Sequence, residues 1–348
     1  MFIIDNIYKY MFLVFIRGEQ VFDVITVGSS TIDVFMHTDP KQTEILRVHK
    51  HFDVAYPLGA KILIKELEFF TGGGGTNSAV AFSRLGLKTG WIGRVGNDTN
   101  GKIILEELER ENVKFLGYTG GVTGYSAILD AVESDRTIFT YKGCNDDLSY
   151  RKIKIPETKW MYFSSMMDKS FKTIKKISYH ANIHNLKIAF NPSLYLAKKG
   201  VHYLKPVLRN TEILIFNKEE AQAMLRTNSD NQFQMLHDIH KLGPKIIIIT
   251  DGKNGAHCLD TMEKHFYSIK PAKVKLKETT GAGDAFASGF VAGKILGKST
   301  EYSLRLGMLN AESVIKYKGA KNKLLGKEAF HMAENDKRHI TKYKNDYI

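Results

Sequence analysis

Glu278-Thr-Thr-Gly-Ala-Gly-Asp-Ala-Phe-Ala-Ser-Gly-Phe290 joins a glycine-bearing turn to an apolar run with helical spacing. Gly281 and Gly283 flank Ala282 and leave the backbone free to approach a ligand; Asp284 follows at once. A helix starting near Ala282 presents unpaired N–H groups of Gly281, Ala282 and Gly283 at its positive end. Such groups attract an anion and stabilise the charge on a phosphoryl group in flight. A carboxylate beside that site repels phosphate, so Asp284 makes sense as a general base that takes a proton from an attacking hydroxyl. The other reading is a plain glycine turn, with Asp284 a first-turn acid stabilised by the helix dipole. The stretch alone leaves both open.

Upstream the chain alternates strand-like and helix-like segments, an α/β signature. Val21-Phe-Asp-Val-Ile-Thr-Val27 reads as a buried strand, ended by Gly28-Ser-Ser30. Asp33, just past it, is well placed for ligand hydroxyls or serves as a turn carboxylate. Thr71-Gly-Gly-Gly-Gly-Thr-Asn-Ser78 runs straight into an amphipathic helix, so a tight backbone approach to a ligand is expected there, with a flexible linker as the alternative. It is neither a G-x-G-x-x-G fingerprint nor a P-loop. Further strands are expected at Trp160–Phe163, Lys187–Phe190, Ile213–Phe216 and Lys245–Thr250. Polar residues after the last three (Asn191-Pro-Ser, Asn217-Lys-Glu-Glu220, Asp251-Gly-Lys-Asn-Gly255) read as a binding rim. Asn217 and Glu220 open a helix. They face one site, where Glu220 acts through magnesium and its waters, or they form a helix cap. Segments 31–37, 61–70 and 122–142 suggest a small sheet outside the main one, a lid.

The 348 residues suffice for a large core. A hydrophobic content of 43% with 25% charged residues reads as soluble and globular. The net charge of +13 comes from 50 basic residues spread among 37 acidic ones, with no run of six like charges. That pattern fits a solvated surface that draws in anionic substrates, and nucleic acid is not expected as a partner. Cys144 and Cys258 are far apart, so free thiols in a reducing compartment are expected. Met11-Phe-Leu-Val-Phe-Ile16 is too short to span a membrane; residues 1–20 are an extension, or translation starts at Met11.

Taken together these residues resemble the ribokinase-like (PfkB) family of sugar and nucleoside kinases, from about Phe22 to Leu325. Glu278-Thr-Thr-Gly-Ala-Gly-Asp284 is close to the family's Asp-Thr-x-Gly-Ala-Gly-Asp, which implies Asp284 as catalytic base and the amides of Gly281, Ala282 and Gly283 as anion hole. Gly72-Gly-Gly-Gly-Thr-Asn77 is similar to the early Gly-Gly motif, and implies Gly73, Gly74 and Asn77 at the phosphate acceptor. Gly28-Ser-Ser-Thr-Ile-Asp33 is similar to the first-strand motif, whose Asp holds sugar hydroxyls. Asn217-Lys-Glu-Glu220 resembles N-x-x-E, near Mg²⁺ and phosphate. Thr250-Asp-Gly-Lys-Asn-Gly255 resembles the nucleotide-phosphate loop and implies Asn217, Thr250, Gly252, Lys253 and Gly255 on the ATP side.

The resemblance implies a ribokinase-like α/β fold, a central, mostly parallel sheet with helices on both faces and a small β-lid. The kinase domain would cover residues 21–325, with lid segments near 31–70 and 122–142, and 326–348 would be a short helix and a mobile polar tail. It implies a cytoplasmic kinase that uses ATP and Mg²⁺ on a sugar or nucleoside, and a homodimer through the lid. Glu278 and Thr280 fall on a monovalent-cation site. Lys323, in Lys318-Gly-Ala-Lys-Asn-Lys323, either replaces K⁺ there or faces solvent. Position 74 is Gly where ribokinases usually carry Lys, which leaves room for a larger acceptor. A catalytically silent sensor on the same fold would show no substrate-dependent ATP turnover; a nucleic-acid-associated protein would give a salt-sensitive shift.

Overall fold

The computed structural model describes residues 21–39, 44–48, 51–130 and 136–344. The expected extension at 1–20 and the turn at Asp135 lie outside them. Ten strands form one sheet in the order Ile340–Lys344, His265–Ile269, Ala256–Asp260, Ile246–Thr250, Ile213–Asn217, Lys187–Asn191, Thr158–Ser164, Phe22–Val27, Thr89–Ile92, Lys114–Phe115. From Ile246–Thr250 to Lys114–Phe115 every pairing is parallel, and the remaining three are antiparallel.

Parallel strands covered on both faces must be apolar at every position, and Ile246 to Ile249 are each 0% exposed. The two-residue period sends Ile247 and Ile249 into one core and Ile246 and Ile248 into the other. Burying one such side chain contributes about 1.5–3 kcal/mol. The first core is closed by the helices Asp168–Ile183, Gly200–Leu208, Lys218–Leu225 and Gln232–His240. The second is closed by Gly74–Arg84, Ala282–Ile295, Thr300–Val314 and Glu328–Asn335. The Ala282–Ile295 helix is apolar on all sides because it is buried all round, from Ala285 to Gly293.

The second sheet is the lid, in the order Arg136–Tyr141, Gly124–Asp130, Thr31–Thr38, Ile64–Gly72. Phe69, Val34, Ala127 and Phe139 form one register row on one of its faces. Phe70, Asp33, Ser126 and Thr140 form the adjacent row on the opposite face. A separate hairpin, Glu44–Val48 with His51–Ala55, interrupts the lid segment. The C-terminal stretch departs from the expected mobile tail. After the helix Glu328–Asn335, Ile340–Lys344 pairs with His265–Ile269, and Arg338 fastens it through both guanidinium nitrogens to Glu312 at 2.7 and 3.0 Å.

Candidate active site

The C-terminal ends of the parallel strands and the start of the Ala282–Ile295 helix enclose a cavity of about 360 Å³. Gly281 takes the left-handed conformation (φ 80°) that caps this helix, and a Cβ there would overlap Ala320. The turn therefore packs its backbone against the loop that follows the Thr300–Val314 helix. Buried Asn310 ties the two together: it donates to the Ala285 carbonyl (2.8 Å) and accepts from the Leu325 amide (3.0 Å).

Gly281, Gly283 and Asp284 line the cavity. Burial raises the Asp284 carboxyl above the ordinary range; the hydrogen bond from Asn77 and the charge of Lys321 oppose that shift. Asn77 donates from Nδ2 to Asp284 Oδ2 (2.9 Å), while its own Oδ1 is buried without a partner. Asn77 thus orients the carboxylate directly, a contact across 207 positions of chain.

Asn217, Glu220 and Thr250 line the opposite wall. Asn217 and Glu220 do form the reciprocal cap, each side chain accepting from the other's amide at 2.8 Å. Glu220 still faces the cavity, where burial, with the nearby charges of Asp284 and Glu219, pushes its carboxyl up to about 7 despite the Asn217 amide. Gly252 and Lys253 lie exposed on the turn Gly252–Asn254, outside the cavity lining, and Gly255 is buried behind it. Among the described residues no three His, Cys, Asp or Glu side chains form a metal cluster. Carboxylates facing a cavity without a cage fit Mg²⁺ held chiefly by phosphates and water, with Glu220 as an outer contact.

Gly74 lines the cavity, whereas Gly73, Asn77 and Asp33 stand outside its lining. Asp33 accepts from Thr31 Oγ1 at 2.9 Å. Burial raises its carboxyl; hydrogen bonds from Ser126 and Thr31 and the charges of Lys321 and Lys142 oppose that. Glu278 Oε1 accepts from the Thr280 amide (3.1 Å) and hydroxyl (2.7 Å), so these two share one corner of the turn. Lys323 is exposed, its ammonium 5.7 Å from the Tyr317 ring centroid. The buried lysine of that loop is Lys321, 6% exposed and bonded to Glu107 Oε2 (2.5 Å) and Thr71 Oγ1 (2.9 Å).

Sequence reasoning missed Lys142, Asn145, Ser164 and Tyr195, which also line the cavity. Only the polar cluster at Asn191-Pro-Ser hinted at Tyr195, two residues on.

Comparison with known proteins agrees with this geometry. The profile of the pfkB family carbohydrate kinases matches residues 44–325. An uncharacterised sugar kinase of Archaeoglobus fulgidus is 29% identical over 254 residues, covering 70% of this chain and 98% of its own. An ATP-dependent 6-phosphofructokinase of Thermoanaerobacterium thermosaccharolyticum is 25% identical, covering 87% of this chain and 90% of its own. A 5-dehydro-2-deoxygluconokinase of Bacillus licheniformis is 24% identical, covering 88% and 93%. Among solved structures, a probable sugar kinase of Rhizobium etli superposes with a TM-score of 0.75 at 23% identity, covering 90% of this chain and 98% of that one. An Arabidopsis thaliana ribokinase complexed with ribose and ATP gives 0.73 at 21% identity, covering 91% and 100%. These two likenesses establish the ribokinase fold. Among the described residues no helix is long and apolar enough to cross a membrane. With the family profile spanning both lid and anion-hole turn, this chain belongs to the pfkB family of carbohydrate kinases, phosphotransferases with an alcohol group as acceptor.

Proposed function

We propose that the protein transfers the γ-phosphoryl group of ATP to a primary hydroxyl of a sugar. The observation that carries this is Asp284, held by Asn77 beside the N-terminus of the Ala282–Ile295 helix in a cavity shared with Glu220 and Thr250. Asp284 takes the hydroxyl proton as the oxygen attacks the γ-phosphorus in line; the bond from that phosphorus to the ADP oxygen breaks. The amides of Gly281, Ala282 and Gly283 meet the charge that develops on the phosphoryl oxygens. Asn217, Thr250, Gly252, Lys253 and Gly255 form the nucleotide side, and Glu220 would help to hold a magnesium ion, which would neutralise charge on the phosphates. Asp33, Gly73, Gly74 and Asn77 form the acceptor side. ATP as donor and a sugar as acceptor are supported by the 6-phosphofructokinase relative and the ribokinase bound to ribose and ATP. The bare Gly74 wall favours a nucleoside acceptor as second reading.

Glu278 and Thr280 offer a carboxylate and a hydroxyl to a monovalent cation beside the anion hole. Lys323 has less support as its replacement, since its ammonium sits over Tyr317. The family's cytoplasmic setting and a homodimer through the lid complete this reading. A coupled assay of ADP release over ribose, fructose, 2-keto sugars, sugar acids and nucleosides tests it. Asp284→Asn is expected to lower kcat by ~10²–10⁴-fold with nucleotide binding retained. Near wild-type turnover in that variant would remove Asp284 from the role of base.

A further inference from the structure

Most buried or half-buried lysines near the site are already neutralised: Lys318 pairs with Glu68 and Lys321 with Glu107. Lys142 is different. It is half-buried, it lines the cavity, and its ammonium lies 5.3 Å from the Tyr195 ring centroid on the far rim. Among the described residues no carboxylate lies within ion-pair distance of it. Among the described residues it is also the sole basic one in the cavity lining; the other charged groups there are Asp146, Glu220 and Asp284.

The backbone of Lys142 is fixed although its side chain is not packed away. Asn145, 2% exposed, donates to the Lys142 carbonyl (3.0 Å) and the Ser30 carbonyl (2.8 Å), and accepts from the Ser30 amide (3.0 Å). This anchors the lid's last residue to the end of the first strand. Lys142 lies one residue past the strand Arg136–Tyr141, at the start of the turn Gly143–Asp147, and lines the cavity together with Gly74. Its charge bears on Asp33 and Asp146, and it is not among the charges that act on Asp284. Lys142 therefore stands on the acceptor side, away from the phosphoryl path.

We infer that Lys142 is a specificity-determining residue that receives a carboxylate of the acceptor, so that the substrate is a sugar acid whose primary hydroxyl is presented to Asp284. This rests on the proposed kinase reading and narrows it. A single ammonium balances one negative charge, which matches a carboxylate better than a phosphate dianion. The ammonium sits over the Tyr195 ring and forms no salt bridge with a described residue, so its removal breaks no ion pair of the fold.

The test compares 5-dehydro-2-deoxygluconate, fructose 6-phosphate and fructose as acceptors for wild type, Lys142→Met and Lys142→Arg. In Lys142→Met the ratio of kcat/KM for the acid to kcat/KM for fructose should fall ~10–100-fold, through KM of the acid; this is the loss expected for a charge-assisted hydrogen bond. Lys142→Arg should keep most of the ratio. An equal loss on acid and fructose, a rise confined to the ATP KM, or a preference for fructose 6-phosphate that Lys142→Met abolishes would each overturn the inference. If no acceptor is phosphorylated, the kinase reading fails, and calorimetric titration of the sugar acid decides separately. Binding weakened in Lys142→Met upholds the role of Lys142; equal binding, or none to wild type, overturns it.

Discussion

The main sheet and the lid hold their shares of the cavity in different ways. In the main sheet both faces are covered, and Ile246 to Ile249 have no exposed surface. The loops at its strand ends inherit that rigidity, which suits phosphoryl transfer, where a misplacement of about 1 Å costs ~10²-fold. The lid has a different balance: Phe69 and Phe139, on its two outer strands, are 62% and 60% exposed on the face away from Asp33. It is tied to the body by Ile32 and Val34, buried in one cluster with Ala79, Trp91 and Ile104, and by polar clasps, among them Asn145 to Ser30 and Lys318 to Glu68 (2.5 Å) and His37 (2.8 Å). The proposed function thus assigns chemistry to the fully covered sheet and recognition of the acceptor to the half-exposed lid.

The comparison breaks if substitutions on the two sides have the same kinetic signature. The largest lid effect is expected from Asp33→Ala. On the proposed reading Asp33 accepts hydrogen bonds from acceptor hydroxyls, each worth about 1.5–3 kcal/mol, so KM for the sugar should rise ~10–100-fold and KM for ATP far less. A selective rise in the ATP KM would place Asp33 on the donor side. Next comes the outer face. A patch carrying two large exposed aromatics marks an interaction surface. Paired substitution Phe69→Ser and Phe139→Ser should convert a dimer into a monomer on sedimentation. A wild-type monomer at micromolar concentration would show that the lid closes no interface.

The smallest effect concerns Glu220 and sharpens the sheet side. Its folded pKa, about 7, lies above the unfolded 4.5. The folded state therefore holds the proton more tightly, and the stability this contributes, complete below 4.5, is lost as pH rises through 7. Glu220→Gln, which keeps an acceptor for the Asn217 amide, should exceed wild type in stability at pH 8 by about 1–3 kcal/mol, a few degrees in Tm, with no difference near pH 4. Its kcat should fall at the same time. A Tm unchanged at pH 8 would mean that the carboxylate is already well solvated.

Much of this architecture was legible because buried parallel strands leave continuous apolar runs and a ligand-facing turn needs glycine. The lid could be read from alternation, since one of its faces meets the body. Asp284 and the Gly281–Gly283 turn were legible for the same local reason. The bond from Asn77 to Asp284 depends on two helix ends meeting and leaves no trace in spacing. Lys142 is one of 50 basic residues, and nothing local separates it from a solvated one. Lys321 was passed over for Lys323 because which lysine turns inward is set by the packing of Ala320 on Gly281. Ile340–Lys344 looked like a tail because a strand that pairs on one side can be largely polar.

That last strand has a further consequence. Among the described residues it is one of the two outer strands of the ten-stranded sheet, the longer of the two, and its outer edge pairs with no other strand there. Its sequence, Ile340-Thr-Lys-Tyr-Lys344, places exposed lysines at two of five positions. Lys342 pairs with Glu301 at 3.5 Å, and charged side chains along an edge interrupt any long apolar ribbon. Part of the positive excess of this chain, first read as a lure for anionic substrates, thus lies along a sheet edge, where lysine is a common device against open-ended strand pairing.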